Sequence, residues 1–306
     1  MLGLTCHLMA VTRYELTDRQ WQHLAPLLPP QRPRTGRPNH DHRTILNGIL
    51  WVLRTGAPWR DMPERYGPVG TVSSRFYRWR QTGIWQRVLE ALQAKADAAG
   101  LIAWDLHFVD SSIVRAHQHA AGARRSPDGR RCEEALGRSR GGFSTKIHVR
   151  AEGYGKPVSF ALSGGERHDS VALAAVLDGG AVRRPRGRPR LRPRRVAGDK
   201  AFSGRPSRGH LRRRHIGAVI PTTAQQRRRP GFDREAYRAR NRVERLFNRL
   251  KQFRRIATRY EKRATNYLAM LHIAAIRAGL GKWDRRIRWI ARPRTIHDVK
   301  TETLYG

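Results

Sequence analysis

The segment Arg234 to Phe253 carries the residues best suited to chemistry. At about 100° per helical residue, Tyr237, Arg240, Glu244, Asn248 and Lys251 fall within an arc of roughly 80°. One stripe then presents a carboxylate beside a guanidinium, an ammonium, an amide and a phenol. Val243, Leu246, Phe247, Leu250 and Phe253 occupy the adjoining side, which should pack on a sheet, and Arg238, Arg242, Arg245 and Arg249 form a third, basic side. Two further carboxylates stand out because acidic residues are scarce, 24 against 62 Lys plus Arg. Asp110 follows the run His107-Phe108-Val109 and Asp199 follows Val196-Ala197-Gly198, so each reads as a carboxylate at the end of a strand. A strand-end Asp is also a common turn or helix cap. Glu244 has a plainer account too, an ion pair with Arg240 at i−4 that contributes only a few tenths of a kcal/mol.

Three carboxylates converging in so basic a chain make physical sense if they hold divalent cations. Two like charges about 4 Å apart repel by roughly 4 kcal/mol at an effective dielectric of about 20, which Mg²⁺ would more than offset. Two such ions clamp the attacking and leaving oxygens of an in-line phosphoryl transfer.

Positioning these groups requires a sheet. From Ile102 onward, strand-like runs occur at Leu106 to Val109, Lys146 to Val149, Val158 to Leu162, Arg195 to Ala197 and Ala218 to Ile220. Helical segments from Ser170 to Leu177 and from Arg234 to Phe253 are interleaved, a mixed α/β pattern. The Gly-, Pro- and Arg-rich connections Ala120 to Gly142 and Arg183 to Arg190 read as loops.

The first hundred residues read as helical, with a boundary near Gly100. Thr17 and Gln20 form a capping box ahead of Trp21, Leu24, Leu27 and Leu28. Ile45, Leu46, Ile49, Leu50, Val52 and Leu53 recur at helical spacing up to Gly56, and Ile84, Val88 and Leu92 do so up to Gly100. Between them a short helix Asp61 to Tyr66, a turn at Gly67-Pro68 to Gly70, and a basic aromatic helix Thr71 to Gln81 follow the order of a helix-turn-helix reader. In that last helix Arg75, Arg78 and Arg80 are the candidate DNA contacts, while Phe76 and Trp79 read as core anchors.

The chain of 306 residues has a formal net charge of +38, which attracts polyanions, nucleic acid first. Arginine supplies nearly all of it and suits bidentate phosphate and guanine contacts, although a GC-rich coding sequence gives the same bias. Hydrophobic content of 39% with 8 Trp is too apolar for a disordered basic tail. The 2 cysteines, Cys6 and Cys132, support neither a disulfide framework nor a structural zinc, which fits a reducing compartment. No run approaches the eighteen or so apolar residues of a membrane span, and Met1 to Val11 lacks the features of a signal peptide; Met9 is an alternative start. His117, His119, Cys132 and His148 match no zinc template and read as solvated loop residues, and His168-Asp169 as an Asp-capped turn.

The chain resembles bacterial insertion-sequence transposases of the IS-five family, within the Asp-Asp-Glu superfamily. Tyr237-x2-Arg240-x3-Glu244-x6-Lys251 is similar to the superfamily's Tyr-Arg-Glu-Lys signature at each spacing. The likeness continues in Phe108 to Ser112, Gly137 to His148 and Leu162 to Ser170. It also covers Leu16 to Trp21, Gly36-Arg37-Pro38 and Arg54 to Asp61, so that it extends from about Tyr14 to Gly281. At the second Asp the chain reads Gly198-Asp199-Lys200-Ala201-Phe202 where the family commonly has Ala-Asp-Lys-Gly-Tyr, a change expected to distort the turn presenting Asp199.

The resemblance implies an α/β, ribonuclease-H-like mixed sheet with flanking helices over 101–281, preceded by an all-α, helix-turn-helix-like DNA-binding domain over 14–100. Residues 1–13 are then a disordered or non-native start, and 282–306 a basic tail, either a DNA-binding extension or read-through past a degraded stop. Asp110, Asp199 and Glu244 would be the catalytic metal ligands for Mg²⁺ or Mn²⁺, with two ions, and Tyr237, Arg240 and Lys251 would contact DNA beside them. The implied reaction is hydrolysis at the element's end, followed by attack of the freed 3′-hydroxyl on target DNA. The implied partners are double-stranded DNA, at element ends and target, and further copies of the chain in a synaptic homo-oligomer. The implied setting is the cytoplasm, at the nucleoid. The alternative is a catalytically inactive, transposase-derived DNA-binding protein or regulator.

Overall fold

In the computed structural model, residues 14–32, 39–121, 134–139, 141–226 and 231–290 are described, the last ten by their backbone alone. Cys6, Met9, Gly36-Arg37-Pro38, Cys132 and the stretch 291–306 lie outside the described residues.

The front of the chain forms four helices. The Thr17 hydroxyl accepts from Gln20 N–H at 3.3 Å while Gln20 Oε1 accepts from Thr17 N–H at 3.2 Å, which starts α1 (Asp18–Leu24). Asp41 caps α2 (His42–Thr55), which ends at left-handed Gly56, φ +75°. Then come α3 (Val69–Gln81) and α4 (Ile84–Ala98). The expected helix before α3 is absent. Pro63 splits that stretch into two three-ten turns, Trp59–Asp61 and Glu64–Tyr66, and α3 already begins at Val69 behind Pro68. These turns pack so closely on α2 that a Cβ on Gly48 would meet Met62 Sδ at 2.9 Å and Tyr66 Cβ at 3.0 Å.

The sheet contains β1 (Leu106–Ala116), β2 (Gly137–Ser139), β3 (Gly142–Ala151), β4 (Pro157–Gly164), β5 (Arg195–Ala197), β6 (Gly217–Val219) and β7 (Thr258–Arg259). Its main path runs β4-β3-β1-β5-β6, antiparallel from β4 through β3 to β1 and parallel from β1 through β5 to β6. That order and sense make the ribonuclease-H-like mixed sheet implied by the resemblance. The short β2 and β7 pair with β3 and β1, and β2 lies inside the stretch expected to be loop.

Helices cover both faces. Val109 and Val196 point toward α5 (Leu173–Asp178) and α6 (Arg205–Arg213), sharing a core with Leu173, Leu177 and Leu211. Phe108, Ile147, Val149 and Ala197 point the other way. There they meet Val243, Leu246 and Leu250 of α8 (Asn241–Lys251), preceded by α7 (Arg234–Arg238) and followed by α9 (Arg254–Ala257).

The last helix, α10 (Ala264–Ile290), has no counterpart in the sequence reading and runs through the expected start of the tail at Lys282. Tyr267, Met270, Ile273, Ala274 and Leu280 bury against the front helices and the sheet together, so one core runs from Leu16 through α10 to Phe108. Gln93 of α4 also donates to the Pro157 and Val158 carbonyls of β4, at 3.2 and 3.0 Å.

Candidate active site

Strand parity brings the two aspartates to one face. The β1/β5 register pairs Phe108 with Ala197, and two residues further along each strand direction stand Asp110 and Asp199. Because side chains alternate, both share the face of Phe108 and Ala197, the one that α8 covers. Asp110 is not at a strand end. β1 continues to Ala116 because β3 pairs with it from Phe108↔Ala151 to Arg115↔Ser144, so the polar run after Val109 stays in the sheet.

Asp199 does stand at its strand's end. It is extended (φ −76°, ψ −177°), and its Oδ1 accepts from Ala201 N–H at 3.0 Å, capping a three-ten turn over Lys200–Phe202. The expected distortion of this turn does not occur. Among the described residues only Ala135 and His215 are non-glycines with positive φ, so Ala201 sits in ordinary backbone. Phe202 is buried with Val109, Val196 and Leu211. A Cβ on Gly198 would lie 3.0 Å from its ring, so the small residue required here is Gly198.

The helix expected over Arg234 to Phe253 is broken. After α7, capped by Asp233, the bonds Arg242 N–H to Ala239 and Val243 N–H to Arg240 carbonyls tighten the chain before α8. Arg240 lies at this break and reaches both sides of the site. Its NH1 is 2.7 Å from Asp110 Oδ2 and its NH2 is 2.7 Å from Glu244 Oε1. The i−4 ion pair foreseen for Glu244 therefore exists, but as half of a bridge into the sheet. Tyr237 packs on Phe232, ring centroids 5.5 Å apart, and the Arg240 guanidinium lies 6.0 Å from the Tyr237 ring. Lys251 Nζ points to the Ile113 carbonyl at 3.4 Å, at the far end of α8. Two arginines of the supposed basic face are structural, since Arg242 and Arg249 donate to the Gly153 and Gly155 carbonyls in the β3–β4 turn.

Burial pushes the Asp110 carboxyl up to about 6; Arg240 and the Ser111 N–H oppose the rise, and Asp199 and Glu244 add to it. Asp110 thus feels the charges of Asp199 and Glu244. Among the described residues no three His, Cys, Asp or Glu stand together as a metal site. A guanidinium lies between two of the carboxylates instead. The donor set, hard carboxylate oxygens in mutual repulsion, nonetheless suits a hard divalent cation.

A network beside Asp110 escaped the sequence reading. Asp169 accepts from Ser111 Oγ at 2.8 Å and pairs with Lys146 Nζ at 2.9 Å, and Lys146 also donates to the Arg167 carbonyl. These contacts hold the Asp169 carboxyl below its usual range despite burial. His168, not Asp169, caps the turn, its Nδ1 accepting from Ser170 N–H at 3.3 Å. The only advance signal was the pair His168-Asp169, which the sequence presents as a turn.

Other expectations need correction. Arg75 does not face solvent. It is 7% exposed and donates to His42 Nδ1 at 3.0 Å and Asn39 Oδ1 at 2.8 Å, whereas Arg78 is exposed and Arg80 half-buried. His148 is no loop residue. It lies inside β3, 2.8 Å from Ser163 Oγ, and burial lowers its pKa to about 4. His117 packs on His119 and Tyr260, ring centroids 4.4 and 5.0 Å away.

A family model described as a putative transposase of the IS4/5 family matches residues 16–89, and one described as a transposase DDE domain matches residues 105–278. An uncharacterized protein of Sinorhizobium fredii, y4sN, is 41% identical over 38% of this chain and 87% of its own length. A putative transposase for insertion sequence element IS402 of Burkholderia cepacia is 34% identical over 42% of this chain and 59% of its own. Among solved structures, a Mos1 strand transfer complex aligns over 87% of this chain and 83% of its own with 11% identity and a TM-score of 0.28.

Proposed function

The chain belongs to the IS4/5 insertion-sequence transposases, its DDE domain occupying residues 105–278 of 306, and on that footing we propose that Asp110, Asp199 and Glu244 are the carboxylates of its active site. The protein is a DNA transposase. The reaction assigned to it here is hydrolysis of the phosphodiester at the element's end, then attack of the freed 3′-hydroxyl on a target phosphodiester at the same site.

The three carboxylates would hold Mg²⁺, with Mn²⁺ able to substitute and two ions at full occupancy. Bound there, such ions neutralise charge on the attacking and leaving oxygens. The chain's own task is positioning and electrostatics. The Ser111 N–H, 2.9 Å from Asp110 Oδ1, fixes that carboxylate's orientation. Arg240 opposes the burial-driven rise at Asp110 and pairs with Glu244, and its planar fork suits a scissile phosphate once DNA arrives. Tyr237 and Lys251, at the two ends of the α7–α8 strip, contact the strand on either side. In the front module the exposed Arg78, with Arg80, meets the terminal inverted repeats. Two element ends require at least two copies of the chain, working at the nucleoid.

The observation that carries this reading is the single guanidinium joining a carboxylate in the middle of the sheet to one on α8. The test incubates purified protein with duplex DNA spanning the element boundary, in Mg²⁺ or Mn²⁺, beside Glu244→Gln, and maps 3′ ends to the nucleotide. Cutting at the boundary by the unmodified chain alone is expected. Boundary-specific binding without cutting in either metal would replace it with the binding-only reading.

A further inference from the structure

The site lies between two different edges of the sheet. At one edge β4 is tied to the front helices through Gln93 and α10. At the other, β6 is the last strand of the main path, and arginines crowd around it. A groove of about 1210 Å³ there is lined by Arg205, Arg208, Arg212 and His215 together with Gly217 and Ala218 of β6. His215 also lines a neighbouring groove of about 660 Å³, whose other walls include Arg188, Arg192 and Arg194. The two form one cationic track around the β6 edge.

Nearby carboxylates are already engaged. Asp105 pairs with Arg194 and Arg195 at 3.6 and 2.6 Å, Asp178 with Arg214 at 2.6 Å, and Asp97 with Arg184 at 3.9 Å. Among the described residues none pairs with the exposed Arg188, Arg192, Arg205 or Arg212. Arg208 instead braces the floor, donating to the Ser203 and Ile220 carbonyls at 3.0 and 2.8 Å. Gly209 keeps α6 low between Arg205 and Arg212. A Cβ there would meet nothing nearer than 3.6 Å, so packing does not require the glycine, and a ligand's backbone can approach the helix closely.

We propose that this track along α6 and the 184–194 segment binds the phosphate backbone of the target duplex, on the side of the active site opposite the front helices. The lining carboxylate Asp105 is already paired with Arg194 and Arg195, so the remaining guanidiniums are left for phosphates, whose contacts carry no sequence information; with a place at the sheet edge away from the front helices, this suits a duplex of unspecified sequence rather than the element's own ends. The inference rests on the transposase reading, so binding and chemistry are measured separately.

The test compares the full chain with Arg188→Ala/Arg205→Ala/Arg212→Ala and with the corresponding triple Lys variant. Duplex of unrelated sequence and element-end duplex are titrated across a salt series, and a pre-cut end is offered a plasmid target in Mg²⁺. The Ala variant should bind unrelated duplex about 10- to 100-fold more weakly and lose about two to three from the slope of log K against log salt. End-duplex affinity should change less than about threefold, joining to the plasmid should fall about tenfold, and the Lys variant should restore the slope because it restores the charges. An unchanged slope overturns the proposal, as does an equal loss on end duplex, which assigns the track to the element's own DNA. A preference for single-stranded RNA that the Ala variant abolishes also overturns it. Should the unmodified chain cut no ends while the slope still drops, the track stands and the catalytic reading fails.

Discussion

Arg240 holds Asp110 and Glu244 at once, with 2.7 Å from NH1 to Asp110 Oδ2 and 2.7 Å from NH2 to Glu244 Oε1. One of those carboxylates belongs to the sheet and the other to a helix, so the residue at the break between α7 and α8 registers two layers of the fold. Replacing it by Met should cost about 1–3 kcal/mol at pH 8, less than a fully buried pair because Glu244 is half-exposed. The cost should shrink at pH 5, where Asp110, with its pKa of about 6, takes up a proton and no longer needs a cation. Urea melts at the two pH values decide this, and an equal cost at both would show that the bridge is not what Arg240 contributes.

Asp110 itself should limit stability. Its folded pKa of about 6 lies above the ordinary 3.8, so the folded state holds more protons in that window and stability falls as pH rises through it. Asp110→Asn removes this penalty. Relative to the unmodified chain it should gain up to about 3 kcal/mol between pH 4 and 7 while losing all DNA cutting. A stability difference that does not change with pH would contradict the assignment.

The buried histidines act in the opposite sense. His148 and His272 have pKa values lowered to about 4, and His107 is held well below its ordinary value, all by burial. The unfolded chain therefore binds more protons, and the stability these groups contribute is full above about pH 6.5 and lost as pH falls toward 4. His148→Gln, which keeps a partner for Ser163, should flatten the loss in melting temperature between pH 7 and 5. An unaltered acid profile would place the titration elsewhere.

Asp169 is expected to act as a positioning residue, through its hydrogen bond with Ser111, on the neighbouring Asp110. Asp169→Asn should cost about 1–2 kcal/mol, because Lys146 is left beside a neutral group. DNA affinity should stay the same while the cleavage rate falls, and Asp169→Glu should recover part of it. The double variant with Lys146→Met should be less damaging than the sum of the single ones, since both remove one contact. Additive losses, or a fall in affinity equal to that in rate, would refute the coupling.

The arginines of α3 should separate by readout. Arg75→Ala strips partners from His42 and Asn39 and uncovers Trp79, so it should lower stability by about 1–3 kcal/mol. Arg78→Ala, at an exposed position, should leave melting unchanged and weaken end-duplex binding. Identical behaviour of the two would remove the distinction.

Much of this architecture was legible because it is local. The Thr17–Gln20 box, the stop at Gly56 and β5 depend on residues within a few positions of one another, and the structure reproduces them. Strand extent was not. Asp110-Ser111-Ser112 looks like a strand's end until β3 supplies its partners, a contact about forty residues away that propensity does not contain. α10 was missed for a related reason: from Tyr267 to Leu280 it is buried on nearly all sides, so that stretch has no polar face to set a period. The stripe on Arg234 to Phe253 assumed an unbroken helix, yet Arg240 and Glu244, either side of the break, still converge. The Asp169 network and the burial of Arg75 join segments far apart in sequence, which only the tertiary fold brings together.

The continuity of the core through α10 has a consequence for synthesis. Leu16, Leu24, Ile45 and Trp85 find their final covering in Ile273, Ile276 and Leu280, so the first module to leave the ribosome waits for nearly the last. At about 5–20 residues per second, the roughly 180 residues between them take on the order of ten to forty seconds to emerge. Throughout that interval the front helices expose an apolar flank to the cell. A message broken before codon 280 would yield a nascent chain that chaperones hold and proteases clear, so abundance of the protein reports translation through α10.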